Sequence, residues 1–155
     1  MKKRKPHIVV LSDVHLGTRE CQADSLLAYL SSIRPATLVL NGDIFDFERF
    51  DKAYFPPSHF KVLKKILGLA ASGTTVYYLT GNRDQVFRKF TGTTLGNLQI
   101  RDKLLLNLDG RKTWIFHGDI CDLAGTQTKW VVRLGALGYR LLFLANRGFN
   151  RVRRL

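Results

Sequence analysis

Apolar and polar positions follow two rhythms along this chain. The runs HIVVL, ATLVL and TTVYYL are short, continuously apolar and end abruptly in polar residues, so they read as buried strands. From about Cys21 to Ile33 the apolar positions Leu26, Leu27, Leu30 and Ile33 instead recur at helical spacing. The same rhythm runs through SHFKVLKKILGLAASG, with Gly73 as the expected stop. A βαβαβ order predicts parallel strands with helices packed on the faces of the sheet, an α/β fold. After Phe90 a Gly/Thr-rich stretch leads into LQIRDKLLLNLDGRKTWIFHGD, where Asp109-Gly110 joins two apolar runs as a hairpin signature. That hairpin is expected to make the sheet mixed.

The final segment changes character. Trp130, Leu134, Leu137, Leu141 and Leu144 form one helical stripe, and Lys129, Arg133, Arg140, Arg147 and Arg151 run beside it. Gly135, Gly138 and Gly148 weaken the helix and mark a break between shorter pieces. The chain therefore reads as a core over residues 1–125 and a basic amphipathic helical segment over 126–155. An apolar stripe edged by cations suits a lipid interface, although an ordinary core-packing helix with a solvated edge carries the same pattern.

Composition narrows the class. At 155 residues and 45% hydrophobic, the chain is one domain or most of one. No apolar run reaches the roughly 20 residues that cross a bilayer. MKKRKP resembles the basic start of a signal peptide, but only five apolar residues follow before polar ones, so a cytoplasmic protein is expected. Cys21 and Cys121 are isolated thiols and form neither a disulfide framework nor a zinc pattern. The net charge of +13 is concentrated at Lys2, Lys3, Arg4 and Lys5 and in the segment after Asp122, leaving a nearly neutral body. Basic ends of this kind suit an anionic membrane surface or nucleic acid, or are simply solvated tails.

Four strands end in polar clusters: SDVH, NGD, TGNRD and FHGD. In open α/β sheets ligands sit beyond the carboxyl ends of the strands, so the clusters are expected to converge. Singly they are weak signals, since Gly42-Asp43 and Gly81-Asn82 are ordinary turn dipeptides and His117 on an apolar strand could be a core histidine. Jointly, Asp13, His15, Asp43, Asn82 and His117 offer oxygen and nitrogen donors suited to Mn²⁺, Fe²⁺ or Zn²⁺. A carboxylate such as Asp43 can bridge two cations about 3.5–4 Å apart. His7 and His59 lack such company and read as structural.

Asp13-x-His15, Gly42-Asp43, Gly81-Asn82-Arg83-Asp84 and His117-Gly118-Asp119, in this order, resemble the calcineurin-like metallophosphoesterase superfamily over about residues 7 to 122. The resemblance implies an αββα sandwich with mixed sheets around two divalent metal ions, with Mn²⁺ the first expectation. Most members have a histidine where Arg83 stands; with the SDVHLG and GDIFDF segments, that change is similar to the UDP-2,3-diacylglucosamine hydrolase branch of lipid A synthesis. By that resemblance Asp13 and His15 hold one metal, Asn82 and His117 the other, and Asp43 bridges them. These five would be the catalytic set, with Asn82 and Arg83 meeting substrate phosphate and Asp84 a supporting partner. The bland reading of Arg83 is a surface ion pair to Asp84 or a nearby acid.

The same branch implies hydrolysis of the UDP-2,3-diacylglucosamine pyrophosphate to UMP and 2,3-diacylglucosamine 1-phosphate, at the inner face of the cytoplasmic membrane. Helices inserted after the His-Gly-Asp motif cap acyl chains there, which would make 126–155 a lid or membrane-facing insertion. Superfamily members usually add a late Gly-His-x-His motif, yet no histidine follows His117. The sandwich is thus expected to be C-terminally incomplete, as a fragment or as a degenerate member, and the intact motifs favour the fragment. Two other readings stay open: a phosphoesterase of nucleotides or nucleic acid, and an inactive remnant binding anionic membrane or RNA.

Overall fold

The computed structural model describes residues 3–49, 54–121 and Tyr139. The chain divides into two compact units, Met1–Ile120 and Cys121–Leu155. All elements considered below belong to the first; the amphipathic segment expected over 126–155 lies, Tyr139 apart, outside the described residues.

The opening runs β1 (Ile8–Leu11), α1 (Ala23–Ser32), β2 (Thr37–Asn41), α2 (Pro57–Ala71) and β3 (Thr75–Leu79). The three strands pair in parallel in that order. Right-handed crossovers between strands laid side by side in chain order place successive helices on one face of the sheet. Accordingly α1 and α2 pack on each other. Beneath them Val9, Leu38, Leu40, Val76 and Tyr78 meet Leu30, Ile33, Val62, Ile66 and Leu69 in one cluster. α1 has ten residues and no side-chain cap at Gln22, too little for a helix in isolation. Its buried face holds it in place, at about 1.5–3 kcal/mol for each fully buried leucine-sized side chain.

Turn chemistry ends these elements where the sequence says it should. Pro57 opens α2 at a position where its missing N–H costs nothing. At the other end Gly73, at φ 97°, donates to the Ala70 carbonyl at 3.1 Å while Thr74 donates to Leu69 at 3.0 Å, a Schellman closure that needs a left-handed residue.

The second half corrects two expectations in detail. LQIR does not belong to the hairpin: it is β5 (Leu98–Arg101), parallel to β3. The chain turns at Asp102, whose Oδ1 accepts the hydroxyls of Thr91 at 2.9 Å and Thr80 at 3.3 Å. The Gly/Thr-rich stretch after Phe90 contains β4 (Thr94–Leu95), antiparallel to β5. The sheet, in the order β1-β2-β3-β5-β4, is therefore mixed through β4. The Asp109-Gly110 hairpin exists, joining β6 (Lys103–Leu108) to β7 (Arg111–Phe116), but as a separate two-stranded sheet. Both turn residues have positive φ, 51° and 79°, the backbone that matches strand twist in a two-residue hairpin.

His59 is the buried histidine of α2, 2% exposed, with the rings of Tyr54 and Phe55 at its edge. Its Nδ1 accepts the Gly17 N–H at 3.1 Å, which requires that nitrogen to be unprotonated. Burial pushes its pKa below the usual 6.5, with Asp24 opposing. The unfolded chain therefore takes up this proton first as pH falls. Stability from His59 is full above about 6.5 and is lost as pH drops through the lower folded value. The urea midpoint is expected to fall between pH 6.5 and pH 5, and His59→Gln to flatten that slope; equal acid slopes in the two proteins would refute the linkage.

Candidate metal centre

Beyond the ends of β1, β2 and β3 the chain does not stop pairing. Asp13 N–H donates to the Gly42 carbonyl at 3.2 Å, His15 N–H to Asp43 at 2.9 Å and Leu16 N–H to Ile44 at 2.8 Å. The β3 turn joins in through Arg83 N–H, which donates to Asp43 Oδ1 at 2.9 Å. Three loops from three strands are thereby stitched into one floor, with the buried Leu16 and Ile44 beneath.

On this floor one ligand atom each from Asp13, His15 and Asp43 lies within 4.8 Å of the others. His117, just after β7, brings its Nε2 to 3.6 Å from Asp43 Oδ1. Both imidazoles are fixed in tautomer by the opposite nitrogen. His117 Nδ1 lies 3.2 Å from the Asn41 carbonyl, which can only accept, so that nitrogen carries the proton. His15 Nδ1 lies 3.1 Å from the Asp46 carboxylate, and its Nε2 turns toward Asp13 Oδ1 at 4.0 Å. Each ring therefore presents an Nε2 lone pair, its orientation held by the oxygen behind Nδ1, as in metal-binding histidines.

Backbone strain is concentrated at the same residues. Among the described residues four non-glycine positions have left-handed φ, and three are Asp13 (55°), His15 (53°) and Asp43 (54°). Such conformations cost energy and persist where the surroundings enforce them, which marks a site. Close packing enforces them here. A Cβ on Gly42 would lie 2.3 Å from the His117 ring, and one on Gly81 would lie 2.3 Å from Asp43 Oδ1.

Two buried carboxylates act as fasteners. Asp84, fully buried, accepts Gly81 N–H at 2.7 Å, Ile44 N–H at 2.9 Å and the Tyr78 hydroxyl at 2.5 Å, tying the third loop to the second. Burial, together with the Asp84 charge and hydrogen bond, pushes the Tyr78 hydroxyl pKa far up, so it remains a donor. Asp46 meets His15 on one side, and on the other Arg49 through its N–H at 2.9 Å and its guanidinium at 2.8 Å. Burial alone would raise the Asp46 carboxyl; the Arg49 hydrogen bonds and charge, with His15, hold it below the ordinary range.

Asp43 differs. Burial pushes its carboxyl above the usual range, with Asp84 adding to the shift and the Arg83 N–H, His117 and His15 countering it. A carboxylate 5% exposed, facing two imidazole lone pairs, gains from a cation between them. The donor set and the glycine cradle thus fit divalent metal ions.

The structure brings Asp13, His15, Asp43 and His117 together, and holds Asn82 in the adjoining turn between Gly81 and Arg83, both of which touch Asp43. The Arg83 guanidinium pairs with Glu48, the nearby-acid arrangement, while Asp84 turns inward. Sequence reasoning missed Asp46. Its signal is the Asp43-x-x-Asp46 spacing in GDIFD, which does not by itself say that the second carboxylate reaches back to His15.

A sequence profile of the family described as calcineurin-like phosphoesterase matches residues 6–147. The chain is 35% identical over 140 residues to a UDP-2,3-diacylglucosamine hydrolase of Ralstonia nicotianae, covering 82% of this chain and 52% of that protein. It is 32% identical over 117 residues to one from Nitrosococcus oceani, with 70% and 44% covered. One from Aeromonas hydrophila is 31% identical over 137 residues, with 78% and 55% covered. The chain spans about half the length of these curated relatives.

Proposed function

The chain belongs to the calcineurin-like phosphoesterases, which use divalent metals, and from that premise we propose that it hydrolyses the pyrophosphate of UDP-2,3-diacylglucosamine to UMP and 2,3-diacylglucosamine 1-phosphate. The observation that carries the reading is the meeting of Asp13, His15 and Asp43 within 4.8 Å, with His117 facing Asp43. Asp13 and His15 would hold one cation, Asn82 and His117 the second, and Asp43 would bridge them. Mn²⁺ suits this mixed oxygen and nitrogen set, with Fe²⁺ and Zn²⁺ as the other candidates. When bound, the ions supply Lewis acidity, lowering the pKa of water and taking up phosphoryl charge.

The protein's own groups do the positioning. Asp46 and the Asn41 carbonyl aim the two imidazoles, and Asp84 keeps the loops in register. Arg83, exchanging Glu48 for substrate, would meet a phosphate as a planar, permanently charged donor, with Asn82 beside it. The substrate named for the relatives is a UDP-sugar that carries acyl chains, and the amphipathic pattern over 126–155 suits a lid or membrane-facing segment. The reading places the protein in the cytoplasm, at the inner face of the membrane.

The test is release of UMP from UDP-2,3-diacylglucosamine by the purified chain with Mn²⁺. Asp43→Ala and His15→Ala are each expected to lower the rate by more than about 100-fold, since loss of even an outer partner of a metal ligand reaches that range. Turnover of nucleotides or bis(p-nitrophenyl) phosphate with none on the lipid substrate would point to the nucleotide phosphoesterase reading. A chain that binds no divalent ion would overturn both in favour of a non-catalytic remnant.

A further inference from the structure

The helical face of the sheet carries a second feature. α2 is flanked by two grooves. The first, of about 770 Å³, lies between α1 and α2 and is rimmed by Lys3, Arg34, Lys61, Lys64 and Lys65, with no acid among the described residues of its lining. Its floor is apolar, from Leu27 and Leu69. One end is closed by Arg34, which donates to the Ser72 carbonyl at 3.2 Å. Lys3 stands close enough to Lys65 for the two charges to oppose each other, and burial together with Lys3 pushes the Lys65 pKa down. An anion entering here would relieve that repulsion.

The other flank of α2 is apolar. Phe60 and Leu67, two helical turns apart and so on one side, are 60% and 50% exposed. Leu67 continues into a groove of about 440 Å³ with Ala70, Ala71 and Leu95, and Leu95 is itself 64% exposed. Lys61, Lys64 and Lys65 thus border a row of large uncovered apolar side chains. A soluble phosphate ligand would use the cations and leave Phe60, Leu67 and Leu95 in water; a nucleic acid backbone would do the same. A bilayer of anionic phospholipid satisfies both, with ammonium groups at the phosphates and apolar side chains at the acyl boundary. No helix among the described residues is long and apolar enough to cross a membrane.

We propose that the outer face of α2, cationic along Lys61, Lys64 and Lys65 and apolar along Phe60 and Leu67, docks the protein onto an anionic phospholipid surface. Lys3 and Arg34 precede β1 and β2, whereas Phe60 follows His59, which accepts the Gly17 N–H beside the His15 loop, so the docked face extends from the opposite end of the sheet toward the catalytic loops. The inference rests on the reading that the protein works at a membrane, and it moves the contact from the basic ends to the body of the fold.

The test is co-sedimentation of the full chain with phosphatidylcholine vesicles that do or do not contain phosphatidylglycerol, read without turnover so that failure of the hydrolase assignment leaves it intact. Binding is expected only with phosphatidylglycerol and to weaken with added salt. The triple variant Lys61→Gln, Lys64→Gln, Lys65→Gln should bind about 100-fold more weakly. Phe60→Ser with Leu67→Ser should also weaken binding, while both variants keep the wild-type melting temperature and divalent-ion binding. Unchanged vesicle binding by the triple variant would overturn the proposal and assign the contact to the basic ends. Binding to RNA or to inorganic phosphate with loss in the triple variant, but none to vesicles, would also overturn it.

Discussion

Gly81→Ala is expected to abolish divalent-ion binding while leaving most of the fold in place. The new Cβ would lie 2.3 Å from Asp43 Oδ1 and 2.6 Å from the Asp43 backbone nitrogen. A side chain can swing aside, but this backbone cannot, because the Asp43 carbonyl is held by His15 N–H at 2.9 Å and its φ is already left-handed at 54°. Relief therefore takes both a displaced Asp43 carboxylate and a shift of the Gly81–Arg83 turn away from the Asp43 backbone, which costs Asp43 the Arg83 N–H and its place opposite His117. Calorimetric titration with Mn²⁺ should show affinity down by more than about 100-fold. Urea unfolding should show a loss of about 1–3 kcal/mol, typical of overpacking. Gly68→Ala is the control: nothing among the described residues lies within 4 Å of a Cβ there, and α2 should gain up to about 1 kcal/mol with metal binding unchanged. Wild-type metal affinity in Gly81→Ala would show that close packing does not place Asp43.

The second large effect is on stability. Asp84→Ala removes one carboxylate and strands three donors, the N–H groups of Gly81 and Ile44 and the Tyr78 hydroxyl. Each buried donor left without an acceptor costs about 1–3 kcal/mol, so the variant should lose about 3–9 kcal/mol. That is a large share of the roughly 5–15 kcal/mol that holds a domain together. Asp84→Asn should fall between, since it keeps the shape but turns an N–H₂ toward N–H donors. Guanidinium denaturation checks both. Because Ile44 follows Asp43 and Gly81 precedes Asn82, metal affinity should fall along with stability in the partly folded range. A cost below about 1 kcal/mol would mean that the loops are held by their backbone bonds alone.

Much of the fold is legible in the residue pattern because the elements are local. The periodicity of Leu26, Leu27, Leu30 and Ile33 marks α1, since a helix that buries one face must repeat its apolar positions. Gly73 and Asp109-Gly110 mark their turns because left-handed backbone is a property of single residues. The polar strand ends are equally readable, as Asp13, His15 and Asp43 have no reason to follow buried strands unless something meets them there. The split at Asp102 was not readable. Nothing in LQIRDKLLLNL says that its aspartate will bind Thr80 and Thr91 and divide one apolar run between two sheets.

The sequence by itself determined the alternation of strands and helices, the turns, and the kinds of donor collected at the strand ends, all set by residue chemistry within a few positions. Tertiary structure alone decided which partner each donor faces: Asp46 behind His15, the Asn41 carbonyl behind His117, Asp84 across to Ile44, and Glu48 against Arg83. Those pairings join groups 31 to 76 residues apart in the chain. The packing of parallel strands brings the loops after β1, β2 and β3 side by side, the β6–β7 hairpin adds His117 from a separate sheet, and periodicity carries no information about contacts at that range.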